Sequence, residues 1–200
     1  MSFISIRARK RLGEVGLAAL IIAIAWLLQM TVLTKLSLNS MLCSLPLTVT
    51  IIWGSVFGSA LREQTQDELK LRSFGEVIGW QLLSGSVTGA IIGALFASLY
   101  ATLLPIYPIS YPVIGWIARY FSLRNFNRAT FLCIPLVLGG TIFAESLLAL
   151  QLSIFGRPEV LPRLAEIAFP EAILNSLIAP FVYFPMRGWF EFFKARVVQE

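Results

Sequence analysis

The chain has 200 residues, of which 57% are hydrophobic and 14% charged, with a mean hydropathy of +0.78 and a formal net charge of +5. Soluble domains carry about 25% charged residues, so the composition argues for one bundle of membrane-spanning helices. Histidine is absent and Asp67 is the sole aspartate, which excludes Ser-His-Asp triads, histidine metalloprotease sites and paired-aspartate metal chemistry.

A membrane span needs about 20 mostly apolar residues. The first such segment is 15–36, preceded by Arg7, Arg9, Lys10 and Arg11. It is too long for a signal-peptide core and is read as a retained span. The second is 41–61, followed by the charged segment 62–76, and the third is 78–104. PIYPISYP, 105–112, is a proline-punctuated turn that leads to a short fourth span, 112–121. The fifth span is 129–155. Residues 156–169 read as a loop or an interfacial helix, and the sixth span is 170–190.

The predicted fold is therefore an all-α integral membrane protein, one domain over 1–200 with six transmembrane helices. Orientation follows from Lys and Arg. With both termini cytoplasmic, the inner side holds 13 of the 16 basic residues, and only Lys35, Arg157 and Arg163 fall outside. Omitting the short fourth span would destroy that asymmetry. The basic residues flank apolar segments and form no basic-aromatic surface, so the pI of about 9.6 points to membrane lipids and not to nucleic acid. Cys43 and Cys133 lie far apart in apolar runs and read as buried thiols. No metal or cofactor pattern is present.

Within the third span, Gln81, Gly85, Gly89, Gly93 and Ala97 recur every four residues. Such a row lets a neighbouring backbone approach closely. It serves either packing inside the bundle or a surface for a partner's helix. Gly54 and Gly58 repeat the pattern more weakly.

Polar side chains inside spans are costly and each raises a functional question. At 1.5 Å of rise per residue, Gln29 and Glu145 lie about 21 and 22 Å from the cytoplasmic boundary. Asn175 lies about 8 Å below the outer one, a similar depth in a core about 30 Å thick. We expect Glu145 to face the interior and to hydrogen-bond Asn175, with Gln29 as a third member. Such a cluster fixes helix packing or binds a ligand or proton. Interhelical hydrogen bonds of this kind average about 0.6 kcal/mol.

The stretch PEAILNSLIAPFVYFPMRGW, 170–189, carries Pro180 and Pro185, which cannot donate to the preceding turn and are expected to bend the helix. Pro170 and Glu171 suit a helix start, where a missing N–H costs little and a carboxylate meets the positive end of the dipole. Arg187 and Trp189 read as an inner-boundary anchor.

Asn175, Pro180, Tyr183 and Arg187, in ILNSLIAPFVYFPMR, resemble the C-terminal span of the bacterial rod shape-determining protein MreD family. FAESLLAL with Glu145 is similar to its penultimate long span, and GWIARYFSLRNF, 115–126, to its Gly-aromatic segment ending in basic residues. The resemblance covers about residues 75–190. It implies a non-enzymatic scaffold of the cell-elongation machinery in the bacterial inner membrane. Such proteins associate with MreC and help couple MreB to peptidoglycan synthesis by RodA and its penicillin-binding partner. The fold it implies is like the substrate-binding subunits of energy-coupling-factor vitamin transporters. The alternative function is accordingly a substrate-binding membrane subunit of a small-molecule transporter.

Overall fold

The computed structural model describes residues 6–35, 37–38, 41–57, 86–101, 106–121 and 130–198. Six α-helices are described: α1 (Ile6–Thr31), α2 (Leu45–Phe57), α3 (Val87–Ala101), α4 (Ser110–Ile117), α5 (Cys133–Ile154) and α6 (Leu164–Val198). The strands β1 (Ser37–Leu38) and β2 (Met41–Leu42) pair antiparallel, with Ser37 opposite Leu42. Apart from this pair the regular secondary structure of the described residues is helical.

α2 is the axis. It carries no charge, and every residue from Leu45 to Val56 is buried. It touches all five other helices. Its hydroxyls do not seek partners elsewhere. Thr48 donates to the Ser44 carbonyl at 3.0 Å, Thr50 to that of Pro46 at 2.8 Å, and Ser55 to that of Ile52 at 2.8 Å. A hydroxyl satisfied by its own helix is compatible with an apolar surround. With 13 residues, α2 is only about 20 Å long.

The expected span 41–61 therefore begins too early. Residues 41–42 are a strand, 43–44 are extended, and the helix starts at Leu45–Pro46, where proline tolerates the first turn. The expected third span breaks similarly. Ser86 precedes α3 and its hydroxyl accepts from the Gly89 N–H at 2.9 Å, so it is an N-cap. The segment 62–76, with Gln81 and Gly85, lies outside the described residues.

α2, α3 and α4 cross where none of them has a side chain. A Cβ added to Gly89 would run into the Gly115 carbonyl oxygen and the Gly54 Cα. One added to Gly115 would meet the Gly89 carbonyl, and one on Gly54 would again meet the Gly115 oxygen. One turn further, a Cβ on Gly93 would meet the Tyr111 carbonyl. Ala97 is fully buried. The row Gly89–Gly93–Ala97 is thus spent on α4 and α2, inside the bundle, and does not form an outward partner surface.

α5 and α6 pack against each other more extensively than any other pair. Just beyond the end of α5 stands Gly156, whose φ of +90° suits glycine. Arg157 N–H reaches back to the Leu152 carbonyl at 3.0 Å, closing the helix end. After a 3-10 turn at Pro158–Val160, α6 starts at Leu164, earlier than the expected 170, with Glu166 in its first turn. Pro170 and Glu171 are thus inside the helix and not at its start. α6 continues through Pro170, Pro180 and Pro185 without interruption. Each proline forfeits one backbone bond, which a helix packed along α5 tolerates.

Among the described residues, α5 and the Leu164–Glu191 part of α6 are long and apolar enough to cross a membrane. Ala19–Thr31 of α1, α2 and α3 are shorter apolar helices. The fourth expected span is an eight-residue helix, Ser110–Ile117, followed by a 3-10 turn to Phe121. Large apolar side chains cover the outside: Phe131, Ile154 and Phe181 are each at least 75% exposed. Polar side chains such as Thr48, Thr141 and Asn175 are at 0%.

Candidate functional site

The start of α2 is buried, and a buried helix start has backbone N–H groups that water cannot satisfy. Two primary amides from other helices solve this. Asn175 of α6, wholly buried, accepts the Ser44 N–H at 2.7 Å and the Cys43 thiol at 3.1 Å through Oδ1. Gln29 of α1 accepts the Leu45 N–H through Oε1 at 2.8 Å and donates through Nε2 to the Cys43 carbonyl at 2.7 Å. Pro46 has no N–H to satisfy.

Gln29 thereby grips the carbonyl of one residue and the N–H two further on, as a neighbouring strand would. Gln151 of α5 repeats this arrangement. Its Nε2 donates to the Tyr107 carbonyl at 2.7 Å and its Oε1 accepts the Ile109 N–H at 3.2 Å. It therefore fixes the segment that feeds α4. Sequence reasoning missed Gln151, although a primary amide in ALQLSIF carries the same signal as Gln29.

The remaining polar groups gather on the α5–α6 side of Ser44. Asn175 Nδ2 donates to Thr141 Oγ1 at 3.2 Å and to Glu171 Oε1 at 3.4 Å. Ser44 Oγ and Tyr111 OH are 3.1 Å apart, and Tyr111 meets the Tyr100 ring edge-on at 5.8 Å. Glu171 is half-buried. Glu145 is buried, but no hydrogen bond joins its carboxyl group to another described side chain, and the expected Glu145–Asn175 bond is not formed. The reason is register. Asn175 is one helical turn from Glu171, and its carbonyl oxygen is taken by the 43–44 backbone. The Gln29 amide bonds to Cys43 and Leu45 instead. Glu171, read as an interfacial cap, belongs to this cluster instead.

The C-terminal part of α6 is built differently. Tyr183 is buried, Pro180 half-buried, and the Arg187 guanidinium lies 6.0 Å from the Tyr183 ring centre. Arg187 Nη1 donates to Tyr183 OH at 3.4 Å, and Arg187 Nε pairs with Glu191 at 2.9 Å. The two side chains of that ion pair are 29% and 61% exposed. Such a pair one turn apart contributes no more than about 0.5 kcal/mol. Arg187→Gln is therefore expected to leave the melting temperature in detergent nearly unchanged. A drop comparable to that of a core substitution would contradict this placement.

The arrangement supplies backbone clamps, two carboxyl groups and hydroxyls. The described residues contain no group of three or more His, Cys, Asp or Glu side chains placed to hold a metal ion. Compared with known proteins, the chain matches no protein-family model, no curated protein and no solved structure.

Proposed function

We propose that the chain is a multi-pass protein of the bacterial inner membrane, crossing six times with both termini inside. It acts as a non-enzymatic scaffold of the cell-elongation machinery, holding an MreC-like protein and other elongation proteins and so maintaining cell shape. Support for the membrane reading is the inverted surface, with phenylalanines and aliphatics outside and amides and hydroxyls inside. The observation that carries the scaffold reading is the use made of the residues that resemble the MreD family. Asn175 fastens α6 to the start of α2, and Tyr183 with Arg187 forms its inner packing. These are means of holding a shape. The exposed apolar faces of α6, including Leu177, Phe181 and Phe184, are where a partner helix would lie.

Mild-detergent purification from a rod-shaped host is expected to bring down an MreC-like protein, and deletion to make the cells round. Normal rods after deletion, with no elongation protein in the eluate, would remove the proposal. A second reading, a small-molecule transporter subunit, is favoured by the polar cluster of Glu145, Glu171, Tyr111 and Ser44. Its signature would be an ATPase module in the same eluate.

A further inference from the structure

α2, α4 and α5 leave a groove between them. Its floor is Ile51 of α2. One wall is α4 and the turn after it, through Ile114, Ile117 and Ala118. The other is α5, from Leu132 past Leu136 to Phe143. The groove measures about 530 Å³, within the range of about 300–1,000 Å³ usual for ligand sites. Two glycines make the room. Gly140 brings α5 down onto Ile51, whose Cδ1 lies 2.9 Å from where a Cβ would stand. Gly139 has no atom within 4 Å of the corresponding position, so the space beside it is open. Gly139 and Phe143 are both exposed, and the groove opens along that side of α5.

Lining, length and charge together narrow the occupant. No polar side chain lines the groove. Water stays out of such a space, and a polar solute would lose its hydrogen bonds there. The α5 wall runs from the residue before the helix toward its middle, a rise of about 16 Å. That is about half of a hydrocarbon core about 30 Å thick, the depth of one leaflet. α5 is itself long and apolar enough to cross a membrane. The groove begins where α4 ends and α5 starts, and Arg119 stands at that end, directly after Ala118. From Ala118 to Thr130 the sequence holds three arginines and no acidic residue. Positive charge at the inner boundary attracts anionic headgroups.

We propose that the groove seats one acyl chain of an anionic phospholipid of the inner leaflet, with the headgroup at the Arg119 turn. The chain fills the space between α4 and α5 and joins them. The lipid seat rests on the membrane orientation of the proposed function and not on the scaffold role.

The test is melting of the delipidated full chain in detergent, with dioleoyl phosphatidylglycerol or with dioleoyl phosphatidylcholine, which has the same tails. Phosphatidylglycerol should raise the melting temperature by a few degrees and saturate, and phosphatidylcholine should raise it less. Gly139→Leu places a side chain in the open space and should abolish the response to both lipids. Arg119→Gln should respond to the two lipids alike. Gly188→Leu, on α6 where an added Cβ also meets no atom, should respond as the wild type does. If Arg119→Gln does not fold, lipid extracted from the undelipidated protein replaces it. That lipid should be enriched in anionic species in the wild type and lost from Gly139→Leu. An equal phosphatidylglycerol response in Gly139→Leu and wild type, or an equal response of the wild type to both lipids, would overturn the proposal. So would a lipid-independent dimer that Gly139→Leu dissolves, because a second copy would then fill the groove. Flotation with vesicles separates the two levels. A wild type that floats but shows no lipid response removes the lipid seat alone, and one that does not float removes the membrane orientation with it.

Discussion

Gly115→Ala is expected to destabilise the protein, and Gly139→Ala is expected not to. A methyl group on Gly115 would collide with the backbone carbonyl of Gly89 and approach the Thr50 methyl at 2.9 Å. Neither the α3 backbone nor the buried α2 residue can turn away, so the helices must separate. Overpacking of this kind costs about 1–3 kcal/mol. Removing a helical glycine returns up to about 1 kcal/mol of backbone entropy, so the net effect is a loss of up to about 2 kcal/mol. Gly139 has no atom within 4 Å of the added methyl group, and only the favourable term remains. Gly140 lies between, because its methyl would meet Ile51 Cδ1 at 2.9 Å, the end of a flexible side chain. The three alanine variants should therefore melt in the order Gly139 highest, Gly140 next, Gly115 lowest. Gly89→Ala combined with Gly115→Ala should cost less than the sum, since one separation relieves both contacts. Equal melting of the Gly115 and Gly139 variants would refute this account of the crossing.

What the sequence made legible was periodicity and cost. The Gly89–Gly93–Ala97 row shows at a spacing of four that a backbone comes close, and the structure names the backbone as that of α4. Gln29 and Asn175 stand out because an amide in an apolar run must be hydrogen-bonded. Their partners were not legible. Both bind main chain at 43–45, and a main-chain N–H looks the same at every position in a sequence. Depth arithmetic put Glu145 and Asn175 at one level but could not give their rotation about two helix axes, and rotation decides that the Asn175 amide reaches Thr141 of α5. Helix starts were misjudged for a different reason. Hydropathy runs smoothly across the strand at 41–42 and across Ser86, and the charges at Arg163 and Glu166 pushed the expected start of α6 past Leu164, while the boundaries are set by a proline, a cap and an acidic first turn. Those local signals lie in LPL, SVTG and LAEI and outrank the apolar average. Pro180 and Pro185 lie inside α6, which continues through both.

Asn175→Leu should cost more than any other single change to the polar cluster, and its damage should appear at a distance along the chain. The substitution removes the acceptor for the Ser44 N–H and the donor for Thr141 and Glu171 at the same time. An interhelical bond in a membrane protein averages about 0.6 kcal/mol because freed side chains find other partners. The Ser44 N–H cannot. It belongs to the main chain at the head of a buried helix, where a group left unsatisfied costs about 1–3 kcal/mol. A loss of about 2–3 kcal/mol is therefore expected. Asn175→Asp separates the two halves of the role. It keeps an acceptor for Ser44 but loses the donor to Glu171 and adds a carboxyl group beside it. Hydrogen exchange gives the local readout. In Asn175→Leu the amides of Ser44 and Leu45 should exchange faster, while those in the middle of α3 should not. Gln29→Leu should accelerate exchange at Leu45, because Gln29 accepts the Leu45 N–H and donates to the Cys43 carbonyl. With either grip lost, β2 and the first turn of α2 are free to shift against α6, and the axis of the bundle loses its register. Unchanged exchange at Ser44 in the leucine variant would mean that another group satisfies that N–H and that Asn175 is not the clasp.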